Sequence, residues 1–448
     1  MKLRPLHLSS KVTTARVFAI AAPSMLANLT TPLIGIVSTT AIGRLGEPAL
    51  LGGAAMASVI FDCMFWLFAF LRLSTVAFTA QSLGSGDIEE LPALFARGLV
   101  LAALIGSALI ALQVPLAALL LDAMGGSRDV TEAARIYFSV RIWSSPLALG
   151  NYVVLGWLVG QARARLALLV QIVINLVNMA TTALLVLEFK FGIAGAAVAA
   201  VIAEGSGLLL GILIARRLLR GRLAVPRKKL FDRTKLTRMF AVNRDIMLRT
   251  AALITTFLFF TAQGARAGDV TLAANSVLNN FLLMSAFFLD GLANAAEQLC
   301  GQSFGARDKE GFSTATRLVV FWGFVFAVIV MAVFALFGPQ LIDFMTASQD
   351  VRSAARDFLI FVIASPLLAV FAFAFDGVYI GATWARDMRN LMLVSLLIFF
   401  TAWLGLRGYG NAGLWGALLA FYAARGGLEA LRYPELLKAT FGKTRRVG

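Results

Sequence analysis

Residues 216–238 read Arg-Arg-Leu-Leu-Arg-Gly-Arg-Leu-Ala-Val-Pro-Arg-Lys-Lys-Leu-Phe-Asp-Arg-Thr-Lys-Leu-Thr-Arg. Ten basic residues stand here beside a single acid, Asp232. The surroundings are the opposite in character. The 448-residue chain is 59% hydrophobic and only 14% charged, with a mean hydropathy of +0.83. A soluble domain carries about 25% charged residues, so a soluble fold would expose too much apolar surface. The apolar runs are continuous rather than alternating, which excludes a membrane β-barrel. A helix needs roughly 20 apolar residues to cross a bilayer. Twelve such segments are read, near 14–43, 50–83, 92–121, 131–160, 165–187, 192–219, 240–265, 269–303, 312–341, 353–382, 388–406 and 412–437. The first is too long for a cleaved signal peptide and is read as an uncleaved span.

The basic stretch falls between the sixth and seventh segments, and the two sides of it repeat. Gln81-Ser-Leu-Gly84 is answered by Gln302-Ser-Phe-Gly305 at an offset of 221. Ser145-Pro146 is answered by Ser365-Pro366 at 220. Gly160 and Gly381, Arg165 and Arg386, and Gly192-Ile-Ala-Gly195 and Gly413-Leu-Trp-Gly416 all recur at 221. The expected fold is all-α and polytopic. Its twelve transmembrane helices form two six-helix bundles, related by a pseudo-twofold axis along the membrane normal. The expected division is 1–215, a basic cytoplasmic linker 216–238, and 239–448. Of the 40 Lys and Arg residues, 26 fall at the termini and alternate loops and 8 on the opposite side. The excess places both termini in the cytoplasm of a bacterial inner membrane. Two equivalent bundles can rock around a central cleft, an architecture of secondary transporters.

Several reaction classes are excluded. The single histidine, His7, precedes the first span, and no phosphate-binding loop occurs, so histidine-based metal sites and direct ATP hydrolysis are not expected. Cys63 and Cys300 lie in apolar runs and read as packing residues. No metal or organic cofactor is expected. Nucleic acid is not an expected partner, because the basic stretch is explained by topology and by contact with anionic lipid.

Ionisable groups at bilayer depth are expensive and are functional candidates. They are Asp62, Glu204, Asp290, Glu297 and Asp376, with Arg72 and Arg141 within or near spans. Asp290, Asn294 and Glu297 stand at i, i+4, i+7, one face of the eighth span. Asp376, Tyr379 and Thr383 are read as a similar stripe in the tenth. A buried carboxyl that exchanges a proton for a cationic substrate is the simplest antiport device. The fifth span offers a neutral stripe of Gln171, Asn175, Asn178 and Thr182. It serves either helix packing or a wetted cavity. Pro23 and Pro32 allow the first span to bend, and Phe257, Phe259 and Phe260 are aromatic candidates for a substrate cleft or the core.

Pro23 to Gly46, ending Thr40-Ala-Ile-Gly43-Arg-Leu-Gly46, resembles the first span of multidrug and toxin extrusion (MATE) transporters. Phe70-Leu-Arg72-Leu-Ser-Thr75, Asn243-Arg-Asp245-Ile-Met-Leu-Arg249, Asp290-Gly291 with Glu297, and Asp376-Gly377 with Ile380-Gly-Ala-Thr383 resemble the DinF-type branch of that family. The resemblance spans all twelve segments. It implies export of organic, often cationic or amphipathic, compounds driven by inward H⁺ or, second, Na⁺. Two departures stand out. The family's Val-Asp-Thr of the first span reads Val37-Ser38-Thr39, and Thr182 stands where a fifth-span acid is expected. Coupling is then expected from Asp290 and Asp376, or from Asp62 as a substitute. The alternative functions are a lipid or lipid-linked-sugar flippase and an uncoupled facilitator. The expected partners are small organic substrates and the bilayer, with the chain a monomer.

Overall fold

The computed structural model describes residues 11–221 and 225–442. His7 and the basic residues after Gly442 lie outside them. Nearly all the described residues are helical, and no strand occurs among them. Helices that are apolar all round suit a lipid environment, where every backbone polar group must be satisfied within the element.

The spans are α1 (Thr14–Gly43), α2 (Pro48–Gly84), α3 (Glu90–Ala111), α4 (Arg128–Gly160), α5 (Ala164–Glu188), α6 (Gly192–Leu218), α7 (Arg233–Arg266), α8 (Asp269–Gly305), α9 (Lys309–Met345), α10 (Gln349–Gly381), α11 (Ala385–Leu406) and α12 (Gly410–Phe441). Eleven apolar helical stretches are long enough to cross a membrane. The last of them, 57 residues long, breaks at Arg407–Tyr409 into α11 and α12, which pack on each other, giving twelve spans.

Three boundaries differ from the sequence reading. The expected third span at 92–121 is two helices. α3 stops at Ala111, and a separate helix runs from Gln113 to Met124, with Pro115 unable to donate to the preceding turn. The seventh span starts seven residues earlier than the expected 240, at Arg233. Asp232 is the reason: its Oδ1 accepts from the Lys235 amide at 3.1 Å and caps the helix. The expected continuous span at 50–83 is interrupted near Phe68, where the backbone leaves helical geometry.

The chain forms two compact units. One holds Leu26–Ser82 and Asp87–Phe240. The other holds Ala241–Gly448, Leu83–Gly86 and α1 up to Met25. In the first, α3 packs on α4, α5 on α6, and α4 on α6. Gly156 and Gly160 of α4 press onto α2, where a Cβ would lie 2.5 Å from the Arg72 carbonyl oxygen and 2.7 Å from that of Val76. In the second, α8 and α9 both pack on α10, and α10 and α11 on α12. Its core gathers Phe281, Phe334, Phe399, Trp415 and Phe421. Phe259 and Phe260 belong to this core, against Trp403 at 4.9 Å and Trp415 at 4.9 Å.

Candidate functional site

The tenth span carries Asp376-Gly377-Val-Tyr379-Ile-Gly381. Glycines four apart let two helices meet backbone to backbone. Gly381 lies against α8, where a Cβ would stand 2.6 Å from the Glu297 carbonyl oxygen and 2.9 Å from the Gly301 nitrogen. Gly377 similarly meets Ala293 and Ala296. This contact buries Asp376. Its Oδ2 accepts from Arg249 of α7 and from Arg425 of α12, and both guanidinium groups are themselves buried. Arg249 lies within electrostatic reach of Arg425, Glu429, Asp290 and Glu297, and Arg425 within reach of Glu429 and Asp290. Glu429 is fully buried, and the Tyr379 hydroxyl donates to its backbone carbonyl at 2.8 Å. The result is a cluster of four carboxyls and two guanidiniums.

The sequence stripe Asp290, Asn294 and Glu297 keeps its helical register on α8. Asn294 and Glu297 are buried and Asp290 is half-buried. Tyr379 is fully buried, with its ring edge-on to Trp384 at 5.4 Å. Thr383 does not join the stripe. α10 ends at Gly381, and Thr383 adopts a left-handed turn with φ of 55°, so the i+7 spacing no longer lies on a helix. Arg249, Arg425 and Glu429 were not singled out as candidates. Arg425 and Glu429 carried a signal, an acid four residues after a base inside an apolar segment. Arg249 carried one too, closing the Asn243-to-Arg249 motif.

The other unit offers a weaker polar system. On α5, Gln171 donates to Asn175 at 2.9 Å, and Asn175 donates to the Thr30 hydroxyl of α1 at 2.7 Å. Thr182 is fully buried and donates to Asn178 at 3.5 Å. Glu204 is half-buried and accepts from the Asn151 amide at 2.7 Å. Ser38 is half-buried and Asp62 is exposed. Arg141 places its guanidinium 5.8 Å from the Phe61 ring. Cys300 is buried beside Thr316. Among the described residues, no group of three or more His, Cys, Asp and Glu is placed to hold a metal ion.

Comparison with known proteins agrees with this architecture. The model of the MatE family matches residues 23–184 and 246–402. The DNA damage-inducible protein F of Escherichia coli (strain K12) is 37% identical over 91% of this chain and 89% of its own. A probable multidrug resistance protein, NorM of Rhizobium meliloti (strain 1021), is 26% identical over 89% of this chain and 88% of its own. Among solved structures, the outward-facing conformation of a multidrug resistance MATE family transporter of the MOP superfamily superposes with a TM-score of 0.86. That match is 18% identical over 97% of this chain and 98% of the other. Relatives of this kind are transporters, not enzymes. With a family match over more than half its length and a relative at 37% identity across nearly all of it, the chain belongs to the MATE family of multidrug efflux transporters.

Proposed function

We propose that the chain is a secondary antiporter. It exports organic, often cationic or amphipathic, compounds by alternating access, coupled to inward H⁺. One observation carries this reading. Asp376 is buried against Arg249 and Arg425, with Glu429, Glu297 and Asp290 around them. Four carboxyls gather around two guanidiniums, and carboxylates crowded together away from water disfavour one another's ionisation. The cluster therefore takes up protons or a cation. Na⁺ is the weaker choice, because the two guanidiniums on Asp376 Oδ2 already place positive charge beside the carboxylate and repel a cation. Coupling is assigned to this cluster because Ser38 and Thr182 are neutral, Asp62 is exposed, and Glu204 stands without a second acid beside it among the described residues and accepts from Asn151. The excess of basic residues on one side supports cytoplasmic termini in a bacterial plasma membrane. The chain is read as a monomer with six-helix halves 1–215 and 239–448 joined by 216–238.

The test is uptake of a fluorescent organic cation into inside-out vesicles containing the purified protein, under a pH gradient, a Na⁺ gradient or neither. Concentrative uptake under the pH gradient is expected, with Asp376→Asn losing it while remaining folded and inserted. Equilibration without concentration under every gradient would overturn antiport and favour an uncoupled facilitator or a flippase for lipids or lipid-linked sugars.

A further inference from the structure

Glu429 stands four residues after Arg425 on α12, so both side chains leave the same face of the helix. The residue is fully buried, and neither of its carboxyl oxygens receives a hydrogen bond. Two guanidiniums lie within its electrostatic reach, Arg425 on its own helix and Arg249 on α7. Both nevertheless place a terminal nitrogen on Asp376, and the Nε of each is left without an acceptor. A carboxylate without donors in an apolar interior is among the costliest arrangements in a protein, and a proton on the group removes that cost.

The helices around this pair meet backbone to backbone, whereas the two arginines reach it on long side chains. Gly426 brings α12 against α10, where a Cβ would stand 2.7 Å from the Ala372 nitrogen and 2.7 Å from the Phe371 Cβ. The Tyr379 hydroxyl holds the Glu429 carbonyl at 2.8 Å. The two carboxyls therefore keep their separation, whereas a guanidinium on a long, rotatable stem can change partner. The other charged and titratable groups around Glu429 are Asp290 and Glu297 on α8, which act on Arg249, with Asp290 also acting on Arg425; Tyr422 on α12, which acts on Arg425; and Tyr379 on α10, with Asp387 of α11 and Arg432 of α12 beyond it.

We propose that Asp376 and Glu429 share one coupling proton and compete for the same two arginines, making Glu429 a second seat of that proton. In the state described here, Asp376 is the anion and Glu429 the neutral acid. In the exchanged state, the proton has left the Glu429 carboxyl and one sits on an Asp376 oxygen, and Arg249 and Arg425 have turned to Glu429. The pair holds one proton and one negative charge before and after. This rests on the proton-coupled reading above but is tested without transport.

The experiment is infrared spectroscopy of the full-length protein in lipid vesicles, following the carbonyl stretch of protonated carboxyl groups. Wild type is expected to show a band that Glu429→Gln removes and Glu429→Asp shifts in frequency, the aspartate variant guarding against a glutamine variant that fails to fold. Asp376→Asn is expected to remove the same band, because both arginines then pair with Glu429 and it gives up its proton. Glu297→Gln should leave it in place. No such band in wild type, a band that survives Glu429→Gln, or one unchanged by Asp376→Asn would overturn the proposal. If the band behaves as expected while uptake ignores the pH gradient, the coupling reading fails and the shared proton stands.

Discussion

A side chain has no room at Gly381, whose missing Cβ would lie 2.6 Å from the Glu297 carbonyl oxygen. Overpacking a tight contact costs about 1–3 kcal/mol. Gly381→Leu should therefore lower the melting temperature in detergent clearly, whereas Gly405→Leu should not, since nothing lies within 4 Å of a Cβ there. An equal effect of the two would remove the helix contact as the explanation. The recurrence of Gly160 and Gly381 was visible in the sequence, but as a repeat. One chain gives the period of a motif and not the helix it meets. Asp376 and Asp290 were legible because an acid inside an apolar run stands out. Glu429 was not, because Arg425, Arg432 and Glu435 lie close to it in the twelfth segment, and among them it did not stand out as a lone acid. The structure carries α12 four residues past the expected end, to Phe441. Thr383 was misread for the converse reason, since helical spacing was extended past the point where the helix stops.

Between α6 and α7 the part of the basic stretch around Lys229 and Leu230 is held by one buried arginine. Arg97 of α3 donates to Glu90 at 2.5 Å and to the Leu230 carbonyl at 3.0 Å, and also reaches the Lys229 carbonyl. It thereby satisfies the last carbonyls of the short helix Arg227–Leu230, which have no acceptor role within so short an element. Lys235 completes the clamp on Glu90 at 2.6 Å. Lys229 reaches outward to Glu89, and that hydrogen bond holds its ammonium above the usual lysine range. Removing one partner of a buried pair costs about 3–5 kcal/mol. With Lys235 still on Glu90, Arg97→Ala should fall at or below the lower end. Its expected signature is faster proteolysis between residues 218 and 233 in the folded protein, and unchanged cleavage would sink the clamp. The sequence showed these charges as a topology signal. It could not show that a single arginine of the third segment would anchor them, because Arg97 reads as an ordinary charge on the cytoplasmic side.

The two compact units do not follow the order of the chain. The second unit includes α1 up to Met25, held by Arg16 on Gln302 at 2.9 Å and by Phe18 edge-on to Trp322 at 5.0 Å. The first unit includes α7 up to Phe240, held by Arg238 on Gln81 at 2.8 Å and over the Phe78 ring at 5.3 Å. Gln81 and Gln302 are the pair that announced the repeat, so the same arginine–glutamine contact occurs once in each unit. Each half of the sequence thus contributes a helix base to the unit built mainly from the other. Cleaving an engineered protease site between Gly221 and Val225 should leave two fragments that co-purify through detergent extraction. Separation of the fragments would show that these contacts do not hold the chain together.

The buried cluster around Asp376 also has an electrical consequence. A proton that reaches it from one face of the membrane and leaves toward the other has crossed part of the transmembrane field. One elementary charge moved across the whole field is worth about 2.3 kcal/mol per 100 mV. If the exported compound is neutral, the resting voltage of the cell is then a driving force in its own right, and efflux would continue when the pH on the two sides is equal; for a singly charged cation exchanged for one proton the two charges cancel, and concentrative efflux would end once the pH is equal.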